Sequence, residues 1–160
     1  MAEASEPRPY RRGVGVVLIN AQGLVFAGRR IDLAVEAWQM PQGGIDPGEH
    51  PEAAARRELA EEIGTANAEV LAETAEWLAY ELPPERQRLA WGGRYRGQMQ
   101  KWFAMRFLGT DAEIDLAAGH AEFSTWRWLS SREILAAIVP FKHALYTRVF
   151  DEFRDYLAEA

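Results

Sequence analysis

The sequence predicts an α+β domain, and three observations carry that prediction. Apolar runs of strand length recur between residues 13 and 129; one helix-forming segment, residues 51–63, interrupts them; helical amphipathic spacing returns near the C-terminus. At 160 residues the chain is read as one domain over 1–160, with residues 1–9 a flexible N-terminus.

Gly13 to Asn20 (GVGVVLIN) reads as a buried strand, and Leu24 to Arg30 as its hairpin partner across Ala21-Gln22-Gly23. Gly43 and Gly44 supply backbone freedom where the chain must turn or lie close to a ligand, and Asp46-Pro47-Gly48 is a second turn signal. Pro51 suits the first helical position. From there to Ile63 the residues are mostly Ala, Glu, Arg and Leu, good helix formers, and Gly64 is the stop. Glu69 to Tyr80 contains a strand, closed by Pro83-Pro84. Glu85 to Gly97 is polar and arginine-rich and reads as a long surface loop. Met99 to Leu108 is a strong strand and Ser124 to Leu129 a shorter one. Ser131 caps a helix starting at Arg132, and Lys142 to Leu157 has helical spacing.

Composition excludes several function classes. There is no cysteine, so disulfides, thiolate catalysis and cysteine-built zinc sites are ruled out. No run approaches the length of a membrane-spanning helix, the N-terminus lacks a secretory apolar stretch, and a cytoplasmic location is expected. The net charge of −6 argues against bulk attraction to DNA or other nucleic acid. Sixteen of the eighteen basic residues are arginine, whose planar fork suits phosphate oxygens.

The chemistry is concentrated between Trp38 and Thr65. Ala55, Leu59 and Ile63 form one apolar stripe of the 51–63 helix. Glu58, Glu61 and Glu62 stand at i, i+3 and i+4 on the neighbouring face, with Cβ atoms roughly 5–6 Å apart. Taken alone, such a helix reads as a solvated charged face with Arg56 and Arg57 as partners. The preceding glycines and Glu49, at fixed distances, shift the reading to a metal site. Hard carboxylate oxygens suit Mg²⁺ or Mn²⁺ beside a phosphate chain.

The spacing Gly43, Glu49, Arg57-Glu58-Leu59, Glu61-Glu62 and Gly64 resembles the Nudix hydrolase signature GX5EX7REUXEEXGU, where U is a bulky aliphatic. Thr65 departs from it at the last position. The resemblance implies an α/β/α sandwich around a mixed sheet, with residues 43–64 as a loop-helix-loop. It extends outside the signature, through Tyr10-Arg11, Arg29-Arg30, WQMPQGG, Trp77 to Tyr80, GQMQKWF, Glu122-Phe123 and Phe141-Lys142. There it is similar to the bacterial RNA pyrophosphohydrolase and dinucleoside-polyphosphate hydrolase branch. Arg12 and Met40 replace an expected proline and phenylalanine, and the loop from Ile31 to Ala37 looks longer than usual.

The resemblance implies divalent metal, Mg²⁺ or Mn²⁺, held by Glu58, Glu61, Glu62 and Glu122. Glu58, Glu62 and Glu122 are candidates for the general base, with Arg57 and Glu49 orienting the site through a salt bridge. Gly43, Gly44 and Gly64 shape the motif. Arg11, Arg30, Gln98, Lys101 and Lys142 are expected at the phosphates or base. Tyr80 and Phe141 read as core aromatics or, by resemblance, as the rings flanking a base. Trp38, Trp102, Trp126 and Trp128 are assigned to the core. The implied substrate is 5′-triphosphate RNA, converted to 5′-monophosphate RNA and so committed to decay. The alternatives are a dinucleoside polyphosphate or, for an inactive relative, a bound RNA or nucleotide that is only sensed. An activating protein partner is not readable from the sequence.

Overall fold

A computed structural model describes residues 8–31, 37–119 and 122–158. The chain runs β1 (Tyr10–Ile19), β2 (Val25–Arg30), β3 (Trp38–Gln39), β4 (Gln42–Gly44), α1 (Pro51–Ile63), β5 (Ala68–Glu73), β6 (Leu78–Glu81), α2 (Pro84–Gln87), β7 (Gly97–Phe107), β8 (Phe123–Leu129), α3 (Ser131–Ala137) and α4 (His143–Glu152).

The strands form one mixed sheet. Its axis is the parallel pairing of β1 with β7, in register from Tyr10↔Gly97 to Ile19↔Arg106; the other pairings are antiparallel. Strands β1 and β2 meet only near their hairpin, at Ile19↔Val25. Beyond it they part: β3 pairs with β2 and β4 pairs with β1. The chain between those short strands therefore enters the sheet where it splits, and carries the signature residues with it.

Alternation along β1 sorts two cores. Val14, Val16 and Leu18 pack with Ala54, Ala55, Leu59 and Ile63 of α1. Val17 and Ile19 face the opposite side with Trp102, Ile134, Leu145 and Tyr146 of β7, α3 and α4. Burying one apolar stripe per face is what a two-sided sheet requires, and the α/β/α sandwich follows.

Several sequence expectations shift. The 69–80 strand is two, β5 and β6, both on β7. The 85–97 loop holds the single turn α2 and a 3-10 turn at Ala90–Gly93. Helix α3 is capped by Ser130, not Ser131: Ser130 Oγ accepts from Glu133 N while the Glu133 carboxylate takes Ser130 N, a reciprocal capping box. Helical spacing over 142–157 resolves into α4 and a separate 3-10 turn at Arg154–Tyr156.

Of the N-terminus expected to be flexible, residues 1–7 lie outside the described residues. Arg8 and Pro9 are tied down, Arg8 Nε donating to Gly93 O at 2.8 Å and Arg96 N to Pro9 O at 3.0 Å. The extra loop length before Ala37 falls on residues 32–36, outside the described residues. Thr65 makes a local turn instead of an apolar contact, its Oγ1 accepting from Asn67 N. Met40 is fully buried and Arg12 lies over the Trp77 ring. Trp38 and Trp102 are buried, whereas Trp126 and Trp128 pack on the α1-side core while staying half-buried.

Candidate active site

Helix α1 begins at Pro51 and ends where Gly64 adopts φ 80°, a left-handed cap that returns its N–H to Ala60 O. Its polar edge meets β4. Gly43 and Gly44 lie in that strand rather than in a turn, and neither has positive φ. What they supply is space: a Cβ on Gly43 would overlap the Glu58 carboxylate, and one on Gly44 the Arg11 guanidinium.

Arg57 joins the loop to the helix. Its Nε and Nη2 each donate to a Glu49 oxygen at 2.9 Å, Nη2 also to Gly44 O at 2.9 Å, and Nη1 to Glu58 Oε1 at 2.9 Å and Glu61 Oε2 at 3.3 Å. The Glu49–Arg57 salt bridge read from the motif is present, in the two-pronged geometry that only arginine offers.

The Arg57 hydrogen bond, seconded by Asp46 N, holds Glu49 down at about 2 from an ordinary 4.5. A depressed carboxylate contributes stability that is full above the ordinary value and fades as pH falls through the folded one. Glu49→Gln should therefore lower the melting temperature at pH 7, with the deficit shrinking between about pH 4.5 and 2. A deficit that stays constant across that acid range, in melts followed by circular dichroism, would contradict this.

Glu62 is the buried member of the acidic set, 4% exposed. Burial raises its pKa well above the ordinary range, and the charges of Glu58 and Glu122 raise it further. Gln42 N donates to its Oε2 at 3.1 Å, which keeps the carboxylate aimed at the cleft. Burial also raises Glu58, against the lowering effect of Arg57.

Glu58, Glu62 and Glu122 line one pocket of about 310 Å³ with Arg11, Arg30 and Gln98. Glu61 does not line it; its carboxylate is turned to Arg57. Glu122, 43% exposed, sits 3.8 Å from Arg30 Nη2. Among the described residues no three acidic or histidine side chains are already gathered at ion-binding distance. The donors are all hard oxygens, and three of them repel one another across one cleft, so the set fits a divalent cation in chemistry. Arg57 meanwhile pairs with Glu58 and Arg30 with Glu122.

A second pocket of about 290 Å³ adjoins the first and shares Arg30, Gln39, Gln42, Trp91 and Gln98 with it. Tyr80, Phe141, Lys142 and Arg86 complete its walls. Tyr80 and Phe141 stack on each other, centroids 6.1 Å apart at 30°, instead of standing open as a slot. Lys142 is buried, its ammonium over the Tyr80 ring and donating to Gln39 and Gln42.

Lys101 is not brought to the cleft: it is absent from both pockets, and its ammonium is held by Thr74 O at 2.8 Å and Ala75 O at 3.3 Å. The reason is parity: Gln98, Gln100 and Trp102 point to one face of β7, so Lys101 points to the other. Gln39, Gln42, Arg86 and Trp91 line the cleft although the sequence reading did not single them out. Gln39 and Gln42 stood in the WQMPQGG lead-in, and Arg86 in the arginine-rich loop. Trp91, the one non-glycine at positive φ among the described residues (φ 48°), left no such signal.

Comparisons with known proteins show the family. A family model described as a NUDIX domain matches residues 9–149. The chain is 57% identical to the RNA pyrophosphohydrolase of Cereibacter sphaeroides over 152 residues, 94% of each chain. It is 58% identical to the RNA pyrophosphohydrolase of Rhodospirillum rubrum over 148 residues, 92% of this chain and 89% of the relative. Among solved structures, the MutT protein from Methanosarcina mazei superposes with TM-score 0.66 at 19% identity, covering 94% of this chain and 99% of that one, a likeness of fold alone. With a matching family model over most of its length and relatives of this identity, the chain belongs to the Nudix hydrolase family.

Proposed function

We infer that this chain is an RNA pyrophosphohydrolase, a metal-dependent enzyme that converts a 5′-triphosphate on RNA to a 5′-monophosphate and so promotes transcript decay. One observation carries the reading: a carboxylate-lined pocket opens directly into a second pocket walled by aromatic rings and cationic side chains. A triphosphate in the first would leave its nucleoside in the second. The relatives named RNA pyrophosphohydrolases match nearly the whole chain, and so support the same assignment.

Nudix hydrolases generally need a divalent metal, and Mg²⁺, with Mn²⁺ as substitute, suits the pocket oxygens of Glu58, Glu62 and Glu122, which Glu61 would join on release from Arg57. When bound, the metal supplies neutralisation of polyphosphate charge and acidification of water. Arg11 and Arg30 provide fixed positive charge for phosphate oxygens in the same pocket. Glu58, Glu62 and Glu122 face the same pocket, and each is a candidate to take a proton from attacking water. Glu49 and Arg57 act on orientation, through the salt bridge and the Arg57–Glu58 contact. Among the described residues no helix is long and apolar enough to cross a membrane, and we place the enzyme in the cytoplasm.

The test is a competition, with Mg²⁺, between a short 5′-triphosphate RNA with an unpaired end and diadenosine tetraphosphate. A higher kcat/KM for RNA is expected. Preference for the dinucleotide would make the chain a dinucleoside-polyphosphate hydrolase, and turnover of neither a binding protein.

A further inference from the structure

The wall of the second pocket contains a hydrogen-bond chain whose direction is fixed at its core end. Its core end is Trp102, fully buried, whose indole Nε1 donates to Gln100 Oε1 at 2.9 Å. An indole N–H has no accepting lone pair, so Gln100 must offer its oxygen there and its nitrogen elsewhere. Gln100 Nε2 accordingly donates to Gln98 Oε1 at 3.4 Å, and Gln98 Nε2 to the Tyr80 hydroxyl at 3.2 Å. A second arm starts at Lys142, whose ammonium likewise can only donate. It gives a hydrogen bond to Gln42 Oε1 at 3.2 Å, so Gln42 must offer its oxygen there and its nitrogen to the pocket that both residues line.

The Trp102 arm thus delivers a donor to the Tyr80 phenol oxygen. That oxygen has lone pairs to accept it and a single proton to give. With the Gln98 amide on the accepting side and the Gln42 oxygen already taken by Lys142, the proton is left to face the pocket that Tyr80 lines.

Strand β1 is shaped around this chain. A Cβ on Gly13 would overlap Gln98 Oε1, and one on Gly15 would overlap the Trp102 ring. The two side chains cross the neighbouring strand only because glycine stands at both positions. A ladder serving stability alone would be satisfied with its amides turned either way. Here the donor-only ends remove that freedom.

We propose that Tyr80 Oη is held as a hydrogen-bond donor to an acceptor atom of the bound nucleotide, with Gln100 and Trp102 as positioning residues that set its direction from the core. The inference rests on the RNA pyrophosphohydrolase reading only in naming the ligand a nucleotide.

Two measurements test it. A neutron structure of the substrate-free protein is expected to place the Tyr80 deuteron toward the pocket and the Gln98 deuterons toward Tyr80. A Tyr80 deuteron directed at Gln98 or Gln42 overturns the proposal, whatever the substrate proves to be. In kinetics on triphosphate RNA, Tyr80→Phe keeps the ring and should raise KM about three- to tenfold, the worth of one uncharged hydrogen bond, with kcat nearly unchanged. Gln100→Leu should act in the same direction, yet have little further effect once Tyr80 is Phe. Effects that simply multiply would mean Gln100 does not act through the Tyr80 hydroxyl, and would overturn its positioning role. A wild-type enzyme inactive on this RNA would overturn the proposed function and leave the deuteron positions to decide the inference.

Discussion

Glu62→Gln should lower turnover about 10²-fold or more, within the range of charge-stabilising and proton-accepting groups, while making the metal-free protein harder to melt. The carboxylate is almost wholly buried, faces the charges of Glu58 and Glu122, and has its pKa pushed up by both causes. An acid whose folded pKa lies above its unfolded one destabilises the fold wherever the unfolded chain would ionise it. The amide removes that cost and still accepts from Gln42 N. The gain, on the order of 1–3 kcal/mol, should grow with rising pH and fade as pH falls toward the ordinary carboxylate value of 4.5. Added Mg²⁺ should stabilise the wild type more than the variant. Near wild-type turnover at saturating Mg²⁺ would remove Glu62 from the catalytic set; an unchanged melting temperature without metal would show that its buried charge is relieved in another way.

Arg57→Ala is expected to have the largest effect on the fold of the site. Its guanidinium ties Glu49, Glu58, Glu61 and the Gly44 carbonyl together. Without it, three carboxylates repel one another and the loop loses its anchor on α1. A loss of about 2–4 kcal/mol follows from several charge-assisted hydrogen bonds at a half-buried site, or roughly 4–16 °C in melting temperature for a chain of this size. Arg57→Lys should recover only part of it, because an ammonium cannot hold both Glu49 oxygens in one plane. Full recovery by lysine would reduce the role of Arg57 to its charge.

The legible parts of the site were those built by local rules. Helix α1 could be bounded from Pro51 and Gly64, because its ends depend on neighbours a few residues away, whereas the Glu49–Arg57 pair came from the resemblance to the family signature. Ser130 was equally legible and was misjudged by one position: Glu133, three residues on, marks it as the cap. The placement of Lys101 was legible by counting, since Gln98 and Lys101 stand three apart and cannot share a strand face. Trp91 was not legible, since nothing local announces a tryptophan at φ 48°. Nor was the Tyr80–Phe141 stack, which joins β6 to the turn before α4 and depends on how the two faces close.

The parallel pairing of β1 with β7 also bears on how the site comes into being. Tyr10 and Gly97 are neighbours in space but enclose the signature, β5, β6 and the arginine-rich loop between them along the chain. Closing so long a loop is entropically costly, and non-local pairings of this kind slow folding. Helix α1 can gain its turns early, but Arg11 meets Gln98 only when the terminal and central strands join. During synthesis on the ribosome, a nascent chain holding every signature carboxylate would still lack a cleft until β7 has emerged. Activity should therefore appear late in refolding, after most of the helical signal has returned.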